Sequence, residues 1–150
     1  MNLSPNFSVA ELIKSQTAER KGIDNTPNAD HLYNMRLLAE QILQPIRDEF
    51  GPFIVSSGYR SVALCEAIGS KATSQHAKGQ AGDFEVAGID NYDLCKWIEE
   101  NLEFDQLILE CYKPGHPNSG WVHCSISDSP RKETLTYDRS RGYRPGLIRD

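Results

Sequence analysis

The chain predicts an α+β fold: a small antiparallel-containing sheet packed against helices. Three observations carry this expectation. Two helical patterns open the chain, at about 9–19 and 29–50. Short apolar strands follow, with one more substantial helix among them, and two of these strands are joined as in a hairpin across Lys113 to Ser119. Short strands joined partly as hairpins favour α+β over a doubly wound parallel sheet. The 150 residues are the size of one domain, and a core of that size needs no disulfides. No repeat, low-complexity tract or linker splits the chain, so 1–150 reads as a single domain.

The elements follow in order. Residues 1–7 read as an extended arm. Ser8 and Glu11 form a capping box ahead of Val9, Ala10, Leu12 and Ile13, which predicts the first helix. Thr26-Pro27 precedes the second, whose Leu32, Met35, Leu38, Ile42, Ile46 and Phe50 recur along one face. Pro45 removes an amide donor inside this pattern, so a kink or break is expected there, and Gly51-Pro52 ends the element. Phe53 to Ser57 is a strand, 61–68 a helical turn or two, and 69–78 a loop. Ala81 to Val86 is the next strand. Asp90 caps a helix over 91–102 with Leu94, Trp97 and Ile98 on its apolar face and Asp93 in its first turn. Strands follow at 104–112 and 121–127. Residues 132–137 read as an edge strand, and 138–150 as a basic C-terminal tail lying loose or along the surface.

Composition excludes several function classes. The chain is 39% hydrophobic and 25% charged, with a net charge of -5, so no nucleic-acid partner is expected. Six Lys or Arg stand against three acids in 131–150, which reads as a solvated terminus. Cys65, Cys95, Cys111 and Cys124 form no CxxC pair, so a thiolate zinc site is not expected; free and mostly buried thiols are. The start carries no basic region followed by an apolar run, and no stretch is apolar for a membrane span.

The chemistry gathers around Ser74-Gln75-His76-Ala77-Lys78-Gly79-Gln80-Ala81-Gly82-Asp83. An imidazole and a carboxylate lie seven residues apart with Gly79 and Gly82 between them, so a loop delivers His76 and a strand delivers Asp83. Both suit a borderline-soft divalent cation such as zinc. The remaining histidines are His31, His116 and His123. His31 reads as an exposed or capping residue. Alternation along 121–127 puts Trp121, His123 and Ser125 on one face, making His123 the natural third ligand. Two imidazoles and one carboxylate leave a tetrahedral zinc one open position, the arrangement of a catalytic site rather than a structural one.

With Ser57-Gly58-Tyr59-Arg60-Ser61 before them and Trp121-Val122-His123-Cys124-Ser125 after them, these motifs resemble the family of zinc D-Ala-D-Ala carboxypeptidases. That family also holds related murein peptidases, including bacteriophage endolysins. The resemblance implies Zn2+ as cofactor with His76, Asp83 and His123 as ligands. It implies Arg60 as the arginine that holds the substrate or polarises its peptide; the plainer reading is a surface salt bridge. Ser74 and Gln80 would line the metal loop. Many members place a catalytic acid three positions before the last histidine, or a second histidine two positions before it. Here Gly120 and Trp121 occupy those positions, and neither is a base. Glu110 is the best remaining candidate for the general base if 106–112 pairs with 121–127; otherwise it is a strand-end surface acid. Asp105 is the next candidate, and His116 a substrate or outer-sphere candidate in the loop over the presumed cleft, or else a surface histidine.

The expected function is zinc-dependent hydrolysis of amide bonds in peptidoglycan stem or crosslink peptides, with Glu110 as base and Arg60 supplying positive charge. The expected setting is cytoplasmic synthesis, followed by action at the bacterial cell wall after release through a separate phage membrane pore protein, or carriage on the virion. The alternative is a fold of the same family that has lost catalysis and serves a phage particle as a structural or cell-wall-binding module.

Overall fold

A computed structural model describes residues 1–149. The expected α+β architecture is what forms: one mixed six-stranded sheet backed by helices.

The N-terminal arm is tied down. Strands β1 (Asn2–Ser4) and β2 (Phe7–Ser8) pair as a small antiparallel ribbon, and Leu3 and Phe7 are buried. The first predicted helix is two short ones, α1 (Val9–Ile13) and α2 (Gln16–Lys21). Ser8 and Glu11 make the predicted capping box, and Ser15 caps α2 afresh, which is why the helix breaks between them.

The long pattern runs unbroken through Pro45. Helix α3 (Ala29–Leu38) passes into a π-helical turn (Ala39–Leu43) and then α4 (Gln44–Phe50). The Gln44 amide reaches back five residues to the Ala39 carbonyl. This wider turn leaves room for the Pro45 ring, which would clash with a carbonyl four residues back in a regular helix. The expected break is thus absorbed as a π turn. Met35, Leu38, Ile42, Leu43 and Ile46 are fully buried along this element.

The large sheet has the order β3 (Ile54–Ser57), β4 (Ala81–Glu85), β6 (Trp121–Ser125), β5 (Gln106–Glu110), β7 (Glu133–Asp138), β8 (Gly142–Pro145). Among the described residues every neighbouring pair is antiparallel except β5 with β7, which is parallel. Strand β7 is therefore an inner strand rather than an edge. The segment expected to be a loose tail supplies the edge instead: β8 pairs with β7, and Thr136 ties it down through the Gly146 carbonyl. Asp150, the last residue of that expected tail, lies outside the described residues.

The helical turn or two expected at 61–68 forms α5 (Val62–Ala67), capped by the Ser61 hydroxyl. Alternation divides the sheet. Val55, Phe84, Val122, Cys124, Leu107 and Leu109 point into the core with the α3–α4 element and with α6 (Asn91–Asn101), which buries Leu94, Cys95 and Ile98. Asp90 caps α6 as predicted, accepting from the Tyr92 and Asp93 amides. Asp83, His123 and Glu110 have the opposite parity and so share the other face. A sheet covered by helices on one side has a second side free to carry chemistry. All four cysteines are free; three are buried and Cys111 is half-buried. Among the described residues no helix is long and apolar enough to cross a membrane.

Candidate metal centre

Register assembles the site. Asp83 lies directly opposite His123 across the β4–β6 pair, and Ser57 of β3 lies opposite Asp83. His76 comes from outside the sheet, on a 3₁₀ turn (Gln75–Lys78) that the Ser74 hydroxyl caps by accepting from the His76 amide. Gly79 ends the turn at φ 75°, where a Cβ would stand 2.5 Å from the His31 carbonyl oxygen. Glycine is required there both for the left-handed backbone and for the close approach to α3. Gly82 meets only ordinary contact distances.

Three donor atoms, one each from His76, Asp83 and His123, lie within 4.8 Å of one another. The His76 Nδ1 is 2.7 Å from the Gly58 carbonyl, so it carries the proton and leaves Nε2 with a lone pair. That Nε2 is buried and makes no hydrogen bond; Asp83 Oδ1 lies 3.4 Å away. His123 Nδ1 is 2.9 Å from the same oxygen. Burial opposes ionisation of Asp83, but the His123 hydrogen bond and the His76 ring beside it outweigh burial and hold the carboxyl well below the usual range. A buried, unpartnered imidazole nitrogen aimed at a second imidazole and an ionised carboxylate fits a zinc ion.

The surroundings form an open cleft of about 720 Å³. Arg60, in the turn after β3, lines it and places its guanidinium 3.4 Å from Asp83 Oδ2. Glu110 lines it from the end of β5, directly opposite Trp121 and two residues along from the position facing His123. The Trp121 indole N–H donates to Glu110 Oε2 at 2.9 Å. Burial, and next the Asp83 charge, raise the Glu110 pKa above the ordinary glutamate range, while His123 and the Trp121 hydrogen bond pull it back. A glutamate raised by burial on the wall of such a cleft is a candidate for proton exchange with a bound water. Gly120, at φ 69°, passes against the Glu110 carbonyl where any Cβ would collide, so no side chain fits at this position.

The other expected residues fare differently. Ser74 lines the cleft and also caps the ligand turn. Gln80 contributes its backbone, accepting from the Ile126 amide, and is not part of the cleft wall. His116 is not brought to the cleft: Lys113 and His116 bridge, Ser119 bonds the His116 carbonyl, and the imidazole sits exposed in a separate surface hollow. The tight closure of this loop on itself is what holds His116 away. His31 packs instead on Tyr59, whose hydroxyl is 3.1 Å from its Nδ1.

Asp105 is a brace and not a base. It is 3% exposed and receives the Arg131 backbone N–H and side-chain Nε at Oδ1 and the Arg131 terminal nitrogen at Oδ2. Gln75 Nε2, from the residue before ligand His76, donates to the same Oδ2 at 2.9 Å. The Arg131 hydrogen bond lowers the Asp105 pKa to about 2, too low for a base at neutral pH. Neither this clamp nor the role of Trp121 is visible as a motif, because each joins residues far apart in the chain.

Comparison with known proteins agrees with the site. The family model described as Peptidase M15 matches residues 5–125. No curated protein matches the chain.

Proposed function

The chain belongs to the peptidase M15 family, and from that premise we propose that it cuts peptidoglycan stem or crosslink peptides with Glu110 as the proton-handling group. It is a zinc metallopeptidase of the D-Ala-D-Ala carboxypeptidase type. The observation that carries the reading is the convergence of His76, Asp83 and His123 on one point of the cleft, with the buried His76 Nε2 unpartnered.

His76 and His123 would hold the metal through nitrogen and Asp83 through oxygen. Zinc, when bound, supplies the Lewis acidity that activates water and polarises a scissile carbonyl. The protein's own groups do the rest. Gly58 holds the His76 tautomer through its carbonyl. Glu110 accepts the proton of the attacking water and returns it to the leaving amine. Its raised pKa and its place on the cleft face support this role, and the Trp121 N–H keeps the carboxylate aimed inward. Arg60 offers positive charge to a peptide carboxylate or to the carbonyl oxygen as it gains charge. Within this reading the protein is made in the cytoplasm and reaches the wall past a separate phage pore protein, or on a virion. The likeness of its motifs to phage murein peptidases supports that setting.

Metal analysis of the purified protein, together with product analysis on defined muropeptides, tests the proposal. One zinc per chain and a new free amine at a peptide bond are expected. Absence of both zinc and cleavage overturns it. Lysis of cells that express the protein only once their cytoplasmic membrane is permeabilised checks the setting; lysis with that membrane intact would overturn the need for a pore.

A further inference from the structure

The β7–β8 hairpin lies beyond residues 5–125, yet its Tyr143 lines the cleft. Register explains how. Trp121 pairs with Glu110, Glu110 with Tyr137, and Tyr137 with Tyr143, so four strands place these residues in one row on one face of the sheet. The row lies next to the one that holds Asp83 and His123. Tyr143 lines the same cleft as His76, His123 and Glu110. Its ring is held against Tyr137, with centroids 4.6 Å apart. It is nonetheless 60% exposed, so packing within the protein leaves most of the ring uncovered. Burial, and next the Glu110 charge, raise its pKa, so its hydroxyl keeps its proton and remains a donor.

We propose that Tyr143 is a specificity-determining residue that contacts the amine-side half of the bound peptide, with the β7–β8 hairpin as the wall of that subsite. The direction follows from the order of groups across the sheet and rests on the proton-handling role given to Glu110. Arg60 stands on the β3 side of the metal ligands, and Glu110 and then Tyr143 stand on the other. Glu110 must return its proton to the leaving nitrogen, so that nitrogen and the residue bearing it lie toward β5, β7 and β8. The aromatic face covers that residue and the phenol donates to one of its oxygens, a pairing of apolar area with a polar tip that suits tyrosine.

The test compares Tyr143→Ala and Tyr143→Phe with the zinc-loaded parent, with Tyr33→Ala as a control for an exposed tyrosine outside the cleft. Hydrolysis of a cross-linked muropeptide dimer should show KM raised about tenfold in Tyr143→Ala with kcat changed less than about threefold, a loss of substrate binding rather than of chemistry. Tyr143→Phe should fall between, and Tyr33→Ala should match the parent. In a Glu110→Gln background, titration calorimetry should show the dimer bound about tenfold more weakly when Tyr143 is also Ala. Zinc content and melting temperature should not change. Equal KM and equal affinity with and without Tyr143 overturn the proposal while leaving the peptidase reading intact. A parent that neither cleaves nor binds the dimer overturns both.

Discussion

Replacing Asp105 by Asn tests whether the metal centre is held by a charged brace that contributes no ligand. The wild-type carboxylate receives four donors: the Arg131 backbone N–H at 3.1 Å, its Nε at 3.0 Å, its terminal nitrogen at 2.8 Å and Gln75 Nε2 at 2.9 Å. An amide keeps one oxygen and turns an NH2 toward these donors, so at least one pair becomes donor against donor. The depression of the carboxyl from 3.8 to about 2 corresponds to about 2 kcal/mol of folded-state stabilisation. Arg131 is 56% exposed, and solvent screening brings this to about 1–2 kcal/mol. The folded-state pKa lies below the unfolded one. The contribution is therefore complete above about pH 4 and is lost as pH falls through about 2. In urea at pH 7, Asp105→Asn should cost about 1–2 kcal/mol, or about 2–8 °C in Tm, and the stability difference should shrink toward zero near pH 2. Because Gln75 adjoins His76, zinc affinity should also fall about tenfold. Stability within about 0.3 kcal/mol of wild type at pH 7, or a difference that persists undiminished at pH 2, would refute the reasoning.

Other outcomes follow from the same geometry. Glu110→Gln should bind zinc normally and lose about 10²–10⁴-fold in kcat; full activity with zinc bound would remove Glu110 as base. Trp121→Phe deletes the N–H that stabilises the Glu110 carboxylate, so the Glu110 pKa should rise further and the acid limb of the kcat profile should move to higher pH, measured on a defined muropeptide. Free zinc at about a hundred times its Kd should raise unfolding stability by about 2.7 kcal/mol over chelated protein, read as a Tm shift that His123→Ala abolishes.

Much of this protein was legible in local pattern. The capping box at Ser8, the apolar stripe of 29–50, the alternation of 121–127 and the His76–Asp83 spacing each depend on neighbours within one or two turns, and each formed. Departures came where a distant partner decides. Pro45 is tolerated because a π turn precedes it, and the arm at 1–7 is held because Leu3 and Phe7 find a core to enter. The segment 132–137 reads as an edge strand in the sequence. It sits inside the sheet because 142–145 folds back to cover it. His116 resembled a cleft residue by sequence position, but its loop closes on itself.

The sequence by itself determined which atoms are available: two imidazoles and a carboxylate with the chemistry of a zinc site, an arginine, and a glutamate at the end of a strand. Only the tertiary structure decided which of them meet. The β3–β4–β6–β5 order puts Ser57, Asp83, His123 and Ile108 in one row, and adding β7 and β8 carries Glu110 to Tyr137 and Tyr143 in the next. Strand order is set by burying one apolar face under α3–α4 and α6, a collective property of the core that no short stretch of chain encodes.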